Sequence, residues 1–365
     1  MVRISDITEY LEQTAPLSLQ EEYDNAGLLT GNKNQELNGV LISLDATEEV
    51  IDEALRLGCN MVVSHHPIIF RGLKKITGSN YVERVIIKAI KNDIALYAIH
   101  TNLDNIKNGV NKKIADKLGL SNIRILNPKA SGLFKLVTFV PKDNVLDVLN
   151  AMHDAGAGVI GDYDHCSFRT QGTGRFKPNE NASPHIGERN EIEEVEEERI
   201  ELIYPQYLGP KVLESLRASH PYEEVAYYIH NLENKSEDVG SGMIGHLETP
   251  MNMEAFLLLL KKKFNLEQVK YTPIQARIIK KVAVCGGSGS FLIKAAKNAG
   301  ADAFISADIK YHEYFDAEGK ILIADIGHYE SEVFTKELIF ELLKKKFSNI
   351  ALQLSEVNTN PIKYI

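Results

Sequence analysis

Short apolar strands alternate with helices in both the first and the last third of the 365-residue chain. The first third contains three short apolar strands, at residues 40–44, 61–63 and 94–99, the first of which has β-branched side chains. Residues 81–91, between the later two, have a helical pattern. The last third repeats the strand pattern at residues 282–284, 303–306 and 321–324. Strands separated by helices are typical of βαβ units and a parallel sheet. We therefore predict an α/β core of the three-layer type.

Local signals predict where several of the helices begin and end. Asp45, with Glu48 three residues later, predicts a helix that begins there and ends before Gly58. One long helix is predicted over residues 330–346. A glycine-rich turn at residues 285–290 is predicted to join a strand to the helix that follows it.

The middle of the chain has a different order of elements. Strands and helices are predicted in the order β-α-β-β-(β)-α-β, with a hairpin of residues 165–170 and 173–176 around Gly172. This order fits a ferredoxin-like α+β unit. We place that unit at residues 127–249, as an insert in an α/β domain formed by residues 1–126 and 250–365. An insertion of this kind is tolerable because the entropy of loop closure grows slowly with length.

Composition narrows the classes of function. The net charge of −9 disfavours a nucleic-acid-binding protein, since such binding depends on basic patches. Three cysteines without a Cys-x-x-Cys pair exclude a disulfide framework and a cysteine-rich zinc finger. No apolar run is long enough to cross a membrane, and the first residues lack the apolar stretch of a secretory signal. We therefore expect a cytoplasmic protein that does not act at a membrane.

Metal-ligand types of side chain follow three of the predicted strands. These segments are Ser64-His65-His66-Pro67, His100-Thr101-Asn102-Leu103-Asp104 and Asp325-Ile326-Gly327-His328-Tyr329-Glu330-Ser331-Glu332. Sites in open α/β sheets lie at the carboxyl ends of strands, so the three segments are expected to converge. Each segment alone has a structural alternative, such as a turn before Pro67 or a helix cap at residues 102–104. Their convergence favours a metal site.

The spacing within these segments favours two ions over one. His65 and His66 are neighbours in extended chain and point to opposite sides, so they are expected to serve different ions. His328 and Glu332 share one helical face, and Asp104 adds a second carboxylate. Three imidazoles and two carboxylates suit Zn²⁺, Mn²⁺, Fe²⁺, Co²⁺ or Ni²⁺. We therefore predict a site for two divalent metal ions.

Three further features are candidates for substrate contact or catalysis. The loop Gly286-Gly287-Ser288-Gly289 offers backbone N–H groups to a phosphate, although a tight turn explains it equally well. His312 follows another strand and is a candidate acid or base, with a surface role as the alternative. His100 is a second such candidate, or supports the site from behind the metal ligands.

The motifs together resemble one family over the whole chain. Tyr23-Asp24-Asn25-Ala26-Gly27-Leu28 is similar to the Trp-Asp-Asn-x-Gly-Leu signature of the GTP cyclohydrolase 1 type 2 homologues, also called the dinuclear-metal-centre hexameric or NGG-interacting-factor-3-like family. The three metal-ligand segments and Asp308-Ile309-Lys310-Tyr311-His312 match its other signatures in order. The visible departure is Tyr23 in place of tryptophan.

The resemblance implies more than the residues show alone. It implies a two-metal site with the ligands His65, His66, Asp104, His328 and Glu332, in which Glu332 bridges the ions. It implies a homohexamer built as a toroid around an internal cavity. The insert resembles the PII-like insert of longer bacterial members at residues 156–163, 166–168 and 220–224.

Two functions of different classes follow from these predictions. The first is a metal-dependent hydrolase that activates water against a small molecule, which the family name suggests is a nucleotide such as GTP. The second is a metal-handling or sensory protein in which the PII-like insert binds a regulator or partner. The two are distinguished by whether His100 or His312 stands beside the metal ligands.

Overall fold

The computed structural model describes residues 1–130, 132–274 and 278–365. The chain forms two compact units. The first, here called the flanking unit, is Met1–Pro128 with Asp238–Ile365, and the second, the inserted unit, is Lys129–Glu237. Strands and helices are numbered below in chain order.

The flanking unit is built from two sheets and the helices that cover them. Its strands are β1 Gly27–Thr30, β2 Gly39–Ser43, β3 Met61–Ser64, β4 Ala95–Ala98, β5 Leu120–Ala130, β10 Lys235–Met251, β11 Lys270–Tyr271, β12 Ile279–Ser288, β13 Ala303–Ala307, β14 Leu322–Asp325 and β15 Ala351–Leu354. Its helices are α1 Ile4–Thr14, α2 Glu48–Arg56, α3 Tyr81–Lys91, α4 Thr101–Asp104, α5 Val110–Leu118, α8 Met253–Phe264, α9 Ile293–Asn298, α10 His328–Glu332 and α11 Thr335–Lys346. β5 and β10 lead into and out of the inserted unit.

Each sheet combines a run of parallel strands with antiparallel strands. The first has the order β1-β4-β3-β2-β15, in which β4, β3, β2 and β15 are parallel and β1 is antiparallel to β4. The second has the order β11-β14-β13-β12-β10-β5, in which β12, β13 and β14 are parallel and β10 and β11 run against them. The parallel strands of each sheet end at one edge, where loops leave them.

The predicted α/β class is confirmed, but the flanking unit has two mixed sheets where a single parallel sheet was predicted. One core cluster joins Val40 and Val63 of the first sheet to Val282 and Ile305 of the second. The opposite face of the first sheet packs against α2 and α3, and that of the second against α9. The sequence pattern shows strands buried on both faces, but it does not show which strands hydrogen-bond to each other.

Two local predictions were wrong. The helix predicted from Asp45 begins at Glu48, because the Thr47 side chain accepts a hydrogen bond from the Val50 N–H and caps it. The single helix predicted over residues 330–346 is two helices, α10 and α11. The break separates the short helix that carries His328 and Glu332 from the longer helix that packs in the core.

The inserted unit is a four-stranded antiparallel sheet with two helices. Its elements are β6 Leu133–Pro141, α6 Val145–Asp154, β7 Phe168–Phe176, β8 Glu193–Pro205, α7 Gly209–Ser219 and β9 Tyr227–Leu232. The sheet order is β7-β8-β6-β9, and the element order βαββαβ is that of a ferredoxin-like unit. The predicted hairpin around Gly172 is wrong, because Gly172 lies inside β7 and pairs with Glu197 of β8. The PII-like resemblance of this unit stays a prediction.

Across the described ranges, we find no helix that combines the length and the apolar character needed to span a bilayer.

Candidate metal centre

The predicted ligands lie at the ends of parallel strands of both sheets. His65 and His66 follow β3 directly, and Asp104 lies at the end of α4, which follows β4. His328 and Glu332 lie at the two ends of α10, shortly after β14 of the second sheet. The structure therefore brings together five side chains that are far apart in sequence.

Glu332 lies at the centre of this cluster and is buried. Its Oε2 atom is 3.0 Å from the Nε2 atom of His66 and 3.0 Å from that of His328. Its Oε1 atom is 3.9 Å from Nε2 of His65, which is in turn 3.6 Å from Oδ1 of Asp104. The two carboxylate oxygens of Glu332 thus face two different sets of side chains.

The side chains fall into groups with the spacing of metal ligands. His66, His328 and Glu332 form one group, and His65, Asp104 and Glu332 form another, with the ligand atoms of each group within 4.8 Å of one another. A third group of His65, His66 and His100 meets the same limit. Nitrogen and carboxylate oxygen together are the donor set of zinc and of other first-row transition metals.

Two buried atoms in the cluster have no hydrogen-bond partner. They are Nε2 of His65, a residue that is fully buried, and Oδ1 of Asp104. Buried polar atoms are almost always paired, and the exceptions require an explanation. A cation between the two atoms satisfies both, so the residues fit a bound metal ion.

The Nδ1 atom of each of the four imidazoles makes a hydrogen bond to an oxygen atom of a residue that is not a predicted ligand. The acceptors are the Ile99 carbonyl for His65, Asp45 for His66, Asp24 for His100 and Asp308 for His328, at 2.6–2.8 Å. A histidine whose Nδ1–H donates to an oxygen presents Nε2 as its free donor atom to a metal. Each ring therefore turns Nε2 toward the centre of the cluster.

The electrostatics of the cluster favour positive charge around the buried Glu332 carboxylate. Burial alone would lower the pKa of His66, but hydrogen bonds to Asp45 and Glu332 outweigh it and raise the pKa to about 9. Burial would also lower the pKa of His328, but hydrogen bonds to Asp308 and Glu332 outweigh it and raise the pKa to about 11. Burial would raise the pKa of Glu332, but its histidine partners hold it well below the usual value. Protons on the imidazoles thus compensate a buried carboxylate, which is the role a metal cation would take.

The pKa values of Asp104 and Asp24 are shifted in opposite directions. Burial raises the pKa of Asp104, and the neighbouring Glu332 carboxylate adds to that effect. Asp24 is also affected by burial, but hydrogen bonds from His100 and Thr101 lower its pKa to about 2. Asp24 is therefore a carboxylate that keeps its charge behind His100.

Of the two alternatives for the glycine-rich segment, phosphate contact is not supported at its first two glycines. The N–H groups of Gly286 and Gly287 donate to Asn111 and Ser331, at 2.9 and 3.0 Å, so they are not open to a phosphate. A Cβ atom at Gly287, where φ is +56°, would lie 2.4 Å from Oε1 of Glu332. The glycines are needed here because the Glu332 carboxylate lies against the backbone. Ser288 lines the cavity described below.

His312 is not brought to the centre. It lies on an exposed turn of 3₁₀ helix, where its ring packs beside Tyr311 and Phe315. It is not among the residues that line the central cavity. His100 does line that cavity, with its ring centroid 5.2 Å from that of His65 and 5.4 Å from that of His66.

A cavity of about 610 Å³ opens in front of the cluster. The residues of the cluster that line it are His66, His100, Asp104, His328 and Glu332. Four largely exposed aromatic rings also line it, those of Tyr23, Phe70, Tyr81 and Phe291. The volume is that of a pocket for a small organic molecule.

The C-terminal segment after β15 reaches the same site, which sequence patterns did not indicate. Ser355 anchors the segment to the buried Glu53 by a hydrogen bond of 2.5 Å. Four residues later, the Thr359 hydroxyl donates to Oδ2 of Asp45, the residue whose other oxygen holds His66. Asn360 donates to Glu330 of α10 at 2.9 Å. Such contacts depend on tertiary structure, so no local pattern could have identified them.

We expect Thr359→Val to weaken metal binding without unfolding the protein. The substitution keeps the shape of the side chain and removes the hydroxyl that orients Asp45, and losing an outer contact of this kind typically costs about 10–100-fold in metal affinity. Competition with a chelator measures the affinity, Thr359→Ser should restore it, and Thr14→Val serves as the control because it removes a single hydroxyl bond in α1. An affinity unchanged by Thr359→Val would contradict the orienting role.

Comparison with known proteins places the chain in a group of similar sequences. The family model described as Duf34/NIF3 (NGG1p interacting factor 3) matches residues 2–361. A protein of Halalkalibacterium halodurans named GTP cyclohydrolase 1 type 2 homolog is 41% identical, over 98% of each chain. A protein of Bacillus subtilis with the same name is 39% identical, also over 98% of each chain.

Solved structures show the same architecture. The crystal structure of a Bacillus cereus protein related to NIF3 matches with a TM-score of 0.88 at 39% identity, and covers 100% of this chain and 99% of that chain. A Staphylococcus aureus protein matches with a TM-score of 0.79 at 32% identity, with the same coverage.

Proposed function

Because the chain belongs to the Duf34/NIF3 family, we propose that it is a hydrolase that holds two divalent metal ions and acts on a small cyclic substrate. The observation that carries this proposal is the position of Glu332. Its two oxygens face two groups of ligands, and each group contains a histidine whose Nδ1 atom is fixed by a hydrogen bond. One carboxylate shared between two ions is the arrangement expected of a two-metal centre.

The ligands divide between the two positions. His66 and His328 would hold one ion together with Oε2 of Glu332. His65 and Asp104 would hold the other with Oε1 of Glu332, and the unpartnered Nε2 of His65 supports that assignment. When bound, such a pair of ions lowers the pKa of water to near neutrality and polarises a substrate carbonyl or amidine. The metal can be Zn²⁺, Mn²⁺, Fe²⁺, Co²⁺ or Ni²⁺ by donor chemistry.

His100 is the proposed acid or base of the reaction. Its Nδ1–H donates to Asp24 at 2.8 Å, which fixes the ring and leaves Nε2 toward the cavity. The Asp24 carboxylate also accepts hydrogen bonds from the backbone and the hydroxyl of Thr101, so it cannot turn away. A buried carboxylate behind an imidazole stabilises the protonated ring, so His100 can accept a proton at Nε2 and return it.

This position of His100 favours an enzyme over a metal-handling protein. Storage or delivery of ions needs ligands, but it does not need a further imidazole that lines the cavity outside the two groups containing Glu332. The aromatic rings of Tyr23, Phe70, Tyr81 and Phe291 add flat surfaces at the cavity, which suit a planar heterocycle. Together with the name of the relatives, they support a nucleotide base as the substrate, opened at a cyclic amidine carbon. The hexameric toroid implied by the resemblance remains a prediction.

The test is an assay of the metal-loaded full chain against a panel of purine nucleotides and cyclic amides. We expect turnover of at least one compound, lost on chelation and in His65→Ala, which removes a ligand without altering the cavity mouth. Metal binding without any turnover across the panel would contradict the hydrolase proposal and favour metal handling.

A further inference from the structure

The inserted unit contains a second cavity, of about 660 Å³, formed entirely by its own residues. Its floor is the face of the sheet that the helices do not cover. Along β6 and β8, Val140, Ile200 and Leu202 turn toward α6 and α7 and form the core. Their neighbours Phe139 and Arg199 pair with each other and turn to the other face, where they line the cavity.

Glycines in β7 keep this floor open. Gly172 pairs with Glu197 across the strands, and a Cβ atom at Gly172 would meet nothing within 4 Å. At Gly174, a Cβ atom would lie 2.1 Å from Oε2 of Glu197. Glycine inside a strand often marks a place where another group approaches the backbone closely, and here that group is the Glu197 carboxylate.

Glu197 is the unusual residue of the cavity. Only 8% of it is exposed, and no lysine, arginine or histidine of the described residues lies within ion-pair distance of it. The hydroxyl of Tyr222, which also lines the cavity, is buried near the Glu197 carboxylate. Burial and the nearby Glu197 both raise the pKa of that hydroxyl. Buried charges in proteins are paired with cations or bound to metals, so this carboxylate lacks its usual compensation.

The cations that line the cavity do not provide that compensation. Arg199 is 2.7 Å from Glu201 and its side chain is 49% exposed. Arg175 is close to Glu194, and its side chain is 64% exposed. Lys177 is also exposed, so its charge is screened, and the ring of His185 is exposed as well. Glu197 is therefore the one lining carboxylate that combines burial with the absence of a cation at ion-pair distance, among the residues described.

The walls around Glu197 are aromatic and fixed in place. Phe176 packs edge-on against Tyr222 at 5.9 Å, and Phe139 against Tyr228 at 5.9 Å. His220 holds the turn that carries Tyr222, because its ring donates to the Phe139 carbonyl and accepts from the Tyr222 N–H. Aromatic faces attract cations, and most strongly where water is excluded.

We propose that this cavity binds a small organic cation with an apolar body, whose ammonium or amidinium group pairs with the Glu197 carboxylate between the aromatic walls. The site is independent of the metal centre and goes beyond the proposed hydrolase function. An amidinium fits a carboxylate through two parallel N–H bonds, and its apolar body would lie against Phe139, Phe176 and Tyr222.

The test uses benzamidine as the probe and benzamide as its neutral counterpart of nearly the same shape. Calorimetry on the metal-loaded full chain should show binding of benzamidine, and binding of benzamide at least about tenfold weaker. Glu197→Gln should weaken benzamidine binding by at least about tenfold, since it removes the charge and keeps the shape. The control Glu196→Gln, on the opposite face of β8 and exposed, should leave binding unchanged.

Thermal melting gives a second measurement that does not depend on the calorimetric signal. Benzamidine should raise the melting temperature of the wild type and of Glu196→Gln, but not that of Glu197→Gln. Absence of benzamidine binding to the wild type would overturn the proposal, as would equal binding by Glu197→Gln. Either result would leave the metal centre untouched, because Glu197 belongs to the other compact unit.

Discussion

Glu332→Gln is expected to abolish stable binding at both metal positions, whereas Asp104→Asn should weaken only one. Glu332 faces His66 and His328 through Oε2, and His65 through Oε1. Glutamine would carry no charge for the two proposed ions to share. One position would keep only its two imidazoles, and the other would keep one imidazole and the Asp104 carboxylate. Because even outer contacts are worth about 10–100-fold in metal affinity, losing this ligand should cost more than about 100-fold at each position.

Elemental analysis after dialysis measures the effect directly as ions per chain. Glu341→Gln is a matched control, since Glu341 is an exposed residue of α11 that pairs only with Lys113 among the ion pairs of the described chain. Folding of each variant is checked by its melting temperature without metal. The proposal that Glu332 binds both ions would be contradicted if Glu332→Gln kept one ion at wild-type affinity. It would also be contradicted if Asp104→Asn lost more metal than Glu332→Gln.

His100→Ala is expected to lower turnover by about 10²–10⁴-fold while leaving the ion content unchanged. His100 lines the cavity and is oriented by Asp24, but the shared carboxylate contacts are made by His65, His66 and His328. Asp24→Asn should lower the rate less than His100→Ala does. The amide can still accept from the ring at one oxygen, but it no longer stabilises a protonated imidazole.

The measurement is kcat at saturating metal, for whichever compound of the panel the wild type turns over. It is paired with the metal content of the same preparations. His312→Ala is the control, because that ring lies outside the cavity. A His100→Ala protein that lost an ion would show that His100 is a ligand, and one that kept the wild-type rate would show that it is neither acid nor base.

Sequence patterns identified the candidate ligands because the rule behind them is geometrical. Strands that run parallel within one sheet end at the same edge, so polar residues placed after β3 and β4 are drawn to a common place. The segment after β14 belongs to the second sheet, and it reaches that place because the two sheets pack against each other. The four-residue spacing of His328 and Glu332 fixes them on one face of α10 whatever its surroundings. The same reasoning applied to His312 failed, because the segment after β13 turns away as an exposed 3₁₀ helix.

The groups behind the ligands could not be found in this way. Asp45 has the local pattern of a helix cap, but it instead holds His66, while Thr47 caps α2. Thr359 reaches Asp45 from more than three hundred positions along the chain, through a segment that has no regular structure. The glycines at 286 and 287 resemble a phosphate loop in sequence. Only the position of Glu332 shows why glycine is required there, since a Cβ atom would lie against its side chain. These roles depend on tertiary contacts that a local pattern does not contain.

Anomalous diffraction from crystals of the manganese- or zinc-loaded protein tests the central claim most directly. We predict two peaks per chain, about 3.5–4 Å apart, with one oxygen of Glu332 at each. His66 and His328 should coordinate one ion, and His65 and Asp104 the other. A single fully occupied peak per chain, or two peaks of which one has no contact to Glu332, would contradict the two-metal centre.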